Sequence, residues 1–225
     1  MQKVLVINSS VSREQSVSRD LVDHVVQRLI ATYPDLEVTY RDLDADPVPH
    51  LLSSTVAGIR GIAASEHELD AQALSDTIIG EVRAADILVI GAPMYNFSIP
   101  TTLRAYFDYL LRPRETFSYR EAGPQGLLTG KSAIVIESRG GLYSEGPAKA
   151  TDFQEPYLKQ LLSFIGITEV IFIRAEKIGL GPEAREFAML AARERITDAV
   201  PLVRSVTAAG IPASNGAALM VEPAN

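Results

Sequence analysis

The feature that most constrains the fold is a fivefold alternation between short apolar segments and longer amphipathic ones. Most of the apolar segments are uninterrupted and rich in β-branched residues, which is typical of buried parallel strands. The amphipathic segments repeat apolar residues at helical spacing. The predicted strands are 3–8, 36–43, 86–90, 132–137 and 169–173. This alternation predicts an α/β protein with a doubly wound parallel sheet, right-handed crossovers and helices on both faces.

The segments between the strands predict the remaining elements. The first helix begins after Ser16 or Ser18, either of which suits an N-cap, and ends before Pro34. Further helices are predicted at about 51–60, 69–84, 101–111, 153–165 and 182–200. The insertion 114–130 has strand-like and turn-like parts and predicts a hairpin. One domain, 1–206, is expected, followed by a loosely held tail, 207–225, rich in Ala, Gly and Pro.

Charge and composition exclude several classes of partner and site. The net charge of -7 and the pI near 5.1 argue against binding to nucleic acid or to an anionic membrane. The chain has no cysteine, which excludes disulfides and thiolate sites and fits a cytoplasmic protein. No segment is long and apolar enough to predict a membrane span. The acidic residues around His67 suit the first turn of a helix, so no metal site is predicted.

An aromatic loop, 91–100, follows the third predicted strand. It lies at the carboxyl edge of the expected sheet, where open α/β sheets bind their ligands. Met94, Tyr95, Asn96 and Phe97 offer flat apolar surface, an amide and backbone N–H groups, which suit a planar heteroaromatic ring such as a flavin. The alternative is a loop whose aromatic side chains only fill the core.

A hydroxyl-rich loop follows the first strand and leads into a helix, whose free N–H groups favour an anion. The glycine patterns of dinucleotide folds and of triphosphate P-loops are both absent. Hydroxyls and backbone N–H groups without a lysine suit the single phosphate of FMN better than ATP. The serines are Ser9, Ser10, Ser12, Ser16 and Ser18. The alternative is that these serines only cap the helix and form turns.

A third loop, Ser138-Arg-Gly-Gly141, follows the fourth strand. Glycines let the backbone approach a ligand closely, and their N–H groups could donate to the pyrimidine edge of a flavin. A glycine turn of no functional importance is the alternative. Together, the three loops meet at the crevice of a sheet with strand order 2-1-3-4-5, where a flavodoxin-like fold holds FMN.

These motifs resemble those of FMN-dependent NADH:quinone oxidoreductases, also called azoreductases, which have a flavodoxin-like fold. The resemblance runs from Lys3 to about Arg195. It is carried by Ser9-Ser10 with Ser16-Val-Ser18, Ala92-Pro-Met-Tyr-Asn-Phe97, Ser138-Arg-Gly-Gly141 and Phe164-Ile-Gly-Ile-Thr168. The chain has Leu142-Tyr143 where some relatives carry a histidine after the glycines.

The resemblance implies that FMN is the cofactor and that flavin N5, rather than a side chain, carries the chemistry. The implied FMN contacts are Ser10, Ser16, Val17 and Ser18 at the phosphate, Met94, Tyr95, Asn96 and Phe97 at the ring, and Ser138, Arg139, Gly140 and Gly141 at the pyrimidine edge. It also implies a homodimer with each active site at the subunit boundary. Tyr119 and Phe164 would cover the flavin or substrate, and Arg60 would attract the nicotinamide phosphates.

The expected activity is a two-electron transfer from NADH or NADPH, through FMN, to a quinone or an azo compound. One open face over the flavin predicts ping-pong kinetics. One alternative is an electron-carrying flavoprotein without its own nicotinamide site. Another is an interaction domain of the same topology that binds no cofactor.

Overall fold

The computed structural model describes residues 1–203. The predicted domain, 1–206, extends slightly past this part, and the predicted tail, 207–225, lies outside it. The strands are β1 Lys3–Asn8, β2 Glu37–Asp42, β3 Ile87–Pro93, β4 Phe117–Arg120, β5 Gly123–Gly126, β6 Ser132–Ser138 and β7 Glu169–Ala175. The α-helices are α1 Val17–Thr32, α2 Val56–Ile59, α3 Glu66–Ala84, α4 Thr101–Leu110, α5 Glu155–Phe164 and α6 Pro182–Ala199.

Five of the strands form one parallel sheet in the order β2-β1-β3-β6-β7. Since β6 and β7 are the fourth and fifth strands of this sheet along the chain, the predicted order 2-1-3-4-5 is confirmed. At the carboxyl edge, Asn8 of β1 is paired with Gly91 of β3, and Pro93 of β3 is paired with Ser138 of β6. The register therefore brings the loops after these three central strands to the same edge.

The helices cover both faces of the sheet, as predicted. On one face, α1 and α6 pack against alternate strand residues such as Val6, Val89 and Ile134. On the other face, α3, α4 and α5 pack against Leu5 and Leu88, among others. Two apolar cores, one on each face, therefore keep the strands rigid and fix where their carboxyl ends lie.

The insertion between α4 and β6 forms the predicted hairpin, a two-stranded antiparallel pair of β4 and β5. Its base lies against the end of α5. Leu128 donates a backbone hydrogen bond of 2.8 Å to Ile165, and a Cβ at Gly126 would come within 2.1 Å of the Gly166 nitrogen. Only a glycine allows this approach, so the hairpin is fixed by main-chain contact.

Some boundaries differ from the prediction for local reasons. Helix α3 begins at Glu66 rather than at 69, because Ser65 and Glu68 form a capping box that starts it one turn earlier. The helix predicted near 51–60 is a single turn, Val56–Ile59. Of the helices within residues 1–203, none is both long and apolar enough to cross a bilayer. In the same residues, no three or more His, Asp or Glu side chains are placed so that they could hold a metal ion.

Candidate functional site

The loop after β1 is held by its own hydroxyl groups and by the start of α1. Ser16 is the N-cap, as one of the two predicted candidates, and its Oγ accepts from the Arg19 N–H at 3.2 Å. Ser16 Oγ also lies 3.2 Å from Ser18 Oγ, and both side chains are buried. The N–H groups of Val17 and Ser18 have no acceptor within the described part of the chain. The start of α1 therefore presents free donors.

The loop after β3 makes a tight turn with an unusual backbone. Tyr95 and Ser98 exchange two backbone hydrogen bonds, of 2.9 and 3.1 Å. Between them, Asn96 and Phe97 have φ angles of 48° and 72°, in the left-handed region that non-glycine residues seldom adopt. Phe97 is 48% exposed. This exposure is contrary to the alternative in which the aromatic loop only fills the core.

The loop after β6 adjoins the same turn and leaves open space beside a glycine. The Met94 N–H donates to the Ser138 carbonyl at 2.8 Å. A Cβ at Gly140 would have no heavy atom within 4 Å. The N–H groups of Gly140 and Gly141 have no acceptor among residues 1–203, whereas their carbonyls accept from Gly179 and Lys177. The two glycines therefore offer N–H donors on a loop whose backbone is otherwise fixed.

Arg139 lies within this loop, but its side chain is 0% exposed. The guanidinium forms ion pairs with Glu137 at 2.7 Å, Asp152 at 3.0 Å and Glu176 at 3.3 Å. It also donates to Gln154 Oε1 at 3.0 Å. The structure thus places the predicted cofactor contact Arg139 in a buried charge cluster, where its side chain holds the loop in place.

The same cluster perturbs the titration of its carboxyl groups. Burial raises the pKa of Glu137 to about 8, although the Arg139 charge works in the opposite direction. Burial alone would also raise the pKa of Glu176. Hydrogen bonds from the Ser144 hydroxyl and from the Tyr143 and Ser144 N–H groups outweigh it, so this pKa lies below its usual value. Around the same guanidinium, one carboxyl therefore has a raised pKa and another a lowered one.

Glu176 is a residue that the sequence analysis missed. Its carboxylate accepts from the N–H groups of Tyr143 at 2.8 Å and Ser144 at 2.9 Å, just after the glycines. The Tyr143 ring lies edge-on to Phe97, with ring centroids 6.1 Å apart. Glu176 thereby connects the loop after β6 to the aromatic loop after β3. In the sequence, the only indication of a role for Glu176 was that it comes shortly after the fifth predicted strand of the sheet, at the edge where ligands bind.

The three loops enclose one cavity of about 140 Å³. Tyr95 bridges two of them, with its hydroxyl 3.4 Å from Ser10 Oγ and 3.3 Å from the Val11 nitrogen. The lining residues are Ser10, Ser12, Gln15, Ser16, Val17, Pro93, Met94, Tyr95, Ser138, Gly140, Ile178 and Arg185. Of the predicted FMN contacts, seven are in this lining, whereas Ser18, Asn96, Phe97, Arg139 and Gly141 are not. Gln15, Ile178 and Arg185 were not predicted.

The three predicted substrate contacts lie elsewhere. Tyr119 is 73% exposed on the hairpin and contacts Phe117, with centroids 5.6 Å apart. Phe117 in turn contacts Phe164 at 4.6 Å. Arg60 is exposed at the end of α2. The structure of one chain brings Tyr119 and Phe164 into one aromatic group, but it places none of the three in the cavity lining.

Comparison with known proteins agrees with this architecture. Residues 2–200 match a protein family described as having a flavodoxin-like fold. A relative from Hyphomonas neptunium, named FMN-dependent NADH:quinone oxidoreductase, is 54% identical over 208 residues, covering 92% of this chain and 100% of the relative. A second relative, from Xanthomonas euvesicatoria, named FMN-dependent NADH:quinone oxidoreductase 2, is 46% identical over 207 residues, covering 91% of this chain and 94% of the relative.

Solved structures give the same result. The azoreductase of Bacillus anthracis strain Sterne has a TM-score of 0.82 at 30% identity, covering 89% of this chain and 99% of that chain. An FMN-dependent NADH-azoreductase of Bacillus anthracis strain Ames Ancestor, in complex with FMN, has a TM-score of 0.81 at 26% identity. The match covers 91% of this chain and 100% of that chain. By sequence and by fold, the chain therefore belongs to the flavodoxin-like family of FMN-dependent NADH:quinone oxidoreductases and azoreductases.

Proposed function

We propose that this protein is an FMN-dependent oxidoreductase that transfers two electrons from NADH to quinones and azo compounds. The observation that carries the proposal is the convergence of the loops after β1, β3 and β6 on one cavity lined with hydrogen-bond donors. The names of the relatives, which specify FMN, NADH, quinone and azo reduction, support the same assignment.

The three loops offer suitable groups for the phosphate, the ring and the pyrimidine edge of FMN. Hydroxyls and free N–H groups at the start of α1 suit a phosphate, with Ser10, Ser16, Val17 and Ser18 as the proposed contacts. Met94, Tyr95, Asn96 and Phe97 would line the ring. Ser138, Gly140 and Gly141 would meet its pyrimidine edge, with Arg139 holding their loop from behind.

In this assignment, the chain positions the reactants and supplies no nucleophile. Bound FMN would supply the redox chemistry, which is the transfer of two electrons from NADH to the acceptor. The free N–H groups of Gly140 and Gly141 would stabilise negative charge that develops at the pyrimidine edge. The left-handed turn at Asn96 and Phe97 leaves the Phe97 ring exposed beside Tyr143, and in the proposed site this ring would limit the access of water to the flavin.

We also propose that two subunits complete each site. A cavity of 140 Å³ is smaller than the roughly 300–1,000 Å³ usual for ligand pockets, so one chain encloses only part of FMN. Tyr119 projects from a hairpin fixed to α5, and Phe164 lies behind it, so both could cover the flavin of a partner subunit. Arg60 would then contact the nicotinamide phosphates. An enzyme that consumes NADH is expected in the cytoplasm.

The test is the visible spectrum and the steady-state kinetics of the purified protein with FMN. We expect flavin absorbance that bleaches on anaerobic addition of NADH and returns on addition of a benzoquinone. Initial rates at several concentrations of both substrates should give parallel double-reciprocal lines, because donor and acceptor use one face in turn. A protein that binds no FMN, or whose flavin NADH does not reduce, would contradict the proposal.

A further inference from the structure

Arg185 is a cation at the cavity that the motifs of the sequence did not reveal. It lies in the first turn of α6 and lines the cavity together with Ser16 and Val17. Its Nη2 donates to the Gln15 carbonyl at 2.9 Å. This hydrogen bond fixes the guanidinium beside the start of α1, although the two residues are 170 positions apart in sequence.

Among the residues that line this cavity, Arg185 is the only charged one in the described part of the chain. It forms no ion pair within residues 1–203, so most of its donors are free. The neighbouring arginines are already neutralised. Arg19 pairs with Asp42 at 2.7 Å, Arg13 pairs with Asp44 at 3.0 Å, and Arg193 pairs with Asp20 at 2.9 Å.

The acidic surroundings make an unpaired cation favourable for an anionic ligand. The larger pocket next to the cavity shares Ser16 and Arg185 and is also lined by Glu14 and Asp23, which have no ion-pair partner within residues 1–203. A phosphate monoester carries a charge of about -1.5 to -2 near neutral pH. The N-terminus of α1 offers only about half an elementary charge, and serine hydroxyls offer none.

We infer that Arg185 binds the phosphate of FMN and supplies the positive charge that the serine loop lacks. The inference rests on the proposed function. A guanidinium can donate two parallel hydrogen bonds to one phosphate, which gives direction as well as charge. The pyrophosphate of NADH offers similar chemistry. The position of Arg185 beside Ser16 and Val17, at the phosphate end of the proposed site, favours the FMN phosphate.

The experiment compares FMN with riboflavin, which is the same flavin without the phosphate. Flavin-free wild type and Arg185→Gln are titrated with each ligand, and binding is followed by quenching of flavin fluorescence. We expect Arg185→Gln to weaken FMN binding about tenfold or more, with riboflavin affinity changed less than about twofold. The FMN affinity of the wild type should also fall more steeply with added salt than that of the variant.

Arg13→Gln is the matched control. Arg13 lines the neighbouring pocket but not the cavity, and it is paired with Asp44. Its loss should change FMN affinity less than about threefold, since only long-range charge is removed. If Arg185→Gln fails to fold, Arg185→Lys is decisive, because lysine keeps the charge but cannot donate two parallel hydrogen bonds. Its affinity for FMN should fall about threefold or more, while its affinity for riboflavin should not change.

The remaining outcomes separate this inference from the proposed function. Equal FMN affinity in wild type and Arg185→Gln overturns the inference and leaves the proposed function standing. An increased KM for NADH with unchanged FMN affinity also overturns it, because the charge then serves the dinucleotide. A wild type that binds riboflavin as tightly as FMN would show that the phosphate is not recognised. A wild type that binds neither flavin contradicts both proposals.

Discussion

The two sides of the cavity are held in place by different means. On one side, the loop after β1 is fixed by contacts among serine hydroxyls, by the cap of α1 and by Arg19, which donates to the Ser10 carbonyl at 2.9 Å. The Ser9 hydroxyl also donates to the Gly91 carbonyl at 2.6 Å. On the other side, the loop after β6 is fixed by Arg139. Its buried side chain pairs with Glu137 of β6, with Asp152 before α5 and with Glu176 after β7. The β1 side is held mostly by hydroxyl and main-chain groups, with the Arg19–Asp42 pair beside them, whereas the β6 side depends on one fully buried guanidinium.

This difference teaches that the two sides should respond differently to mutation. Buried ion pairs are costly to break, because the remaining partner keeps its charge without water or a counter-ion. Ser10, Ser12 and Ser16 line the cavity, where water can replace a lost hydroxyl contact at little cost. We therefore expect changes on the β6 side to reduce both stability and cofactor binding, and changes on the β1 side to affect cofactor binding almost alone.

The largest effect is expected for Arg139→Met. Removal of the guanidinium leaves Glu137, Asp152 and Glu176 without their shared cation. We expect the free energy of unfolding, measured by urea denaturation, to fall by about 3–5 kcal/mol. Arg104→Met is the control, since Arg104 pairs with Asp108 in an exposed position, and its loss should cost less than about 1 kcal/mol. Equal losses in the two variants would remove the proposed contrast.

A smaller effect is expected in the pH dependence of stability. The buried Glu137 has a pKa raised to about 8, whereas an unfolded glutamate titrates near about 4.3. Between these values the folded state binds more protons, so stability is lost as the pH rises. Over pH 5 to 8, the free energy of unfolding of the wild type should fall by about 3.5 kcal/mol more than that of Glu137→Gln. Parallel pH curves for the two proteins would contradict this assignment.

The smallest effect is expected on the β1 side, for Tyr95→Phe. The hydroxyl makes two long contacts, at 3.4 Å to Ser10 Oγ and 3.3 Å to the Val11 nitrogen. Its loss should reduce the free energy of unfolding by less than about 1 kcal/mol and weaken FMN binding by less than about fivefold. Tyr40→Phe, at an exposed position of β2, is the control and should change neither quantity. A loss of stability as large as that of Arg139→Met would mean that both sides are equally rigid.

The features that the sequence predicted are those with a local cause. The strands and the Ser16 cap follow from patterns within a few residues, the strand order follows from the flavodoxin-like crevice at which the three loops were expected to meet, and the structure confirms all three. The position of Arg139 does not follow from such patterns. Its partners Gln154 and Glu176 are 15 and 37 residues away, so no local motif distinguishes an inward-facing arginine from a ligand-facing one. Arg185 was missed for the same reason, because only the fold brings α6 to the start of α1.

The close approach of Gly126 to Gly166 fixes the base of the hairpin without involving the residues at its far end. Because Gly126 meets Gly166 through main-chain atoms, this contact does not depend on which residues stand at Tyr119 and Arg120, although the Tyr119 ring also contacts Phe117. Under the proposed role of Tyr119 in covering the flavin, a lineage of such enzymes would diverge in the acceptors that it reduces through one or two exposed substitutions. Laboratory evolution toward new dyes would start at those two positions and keep both glycines.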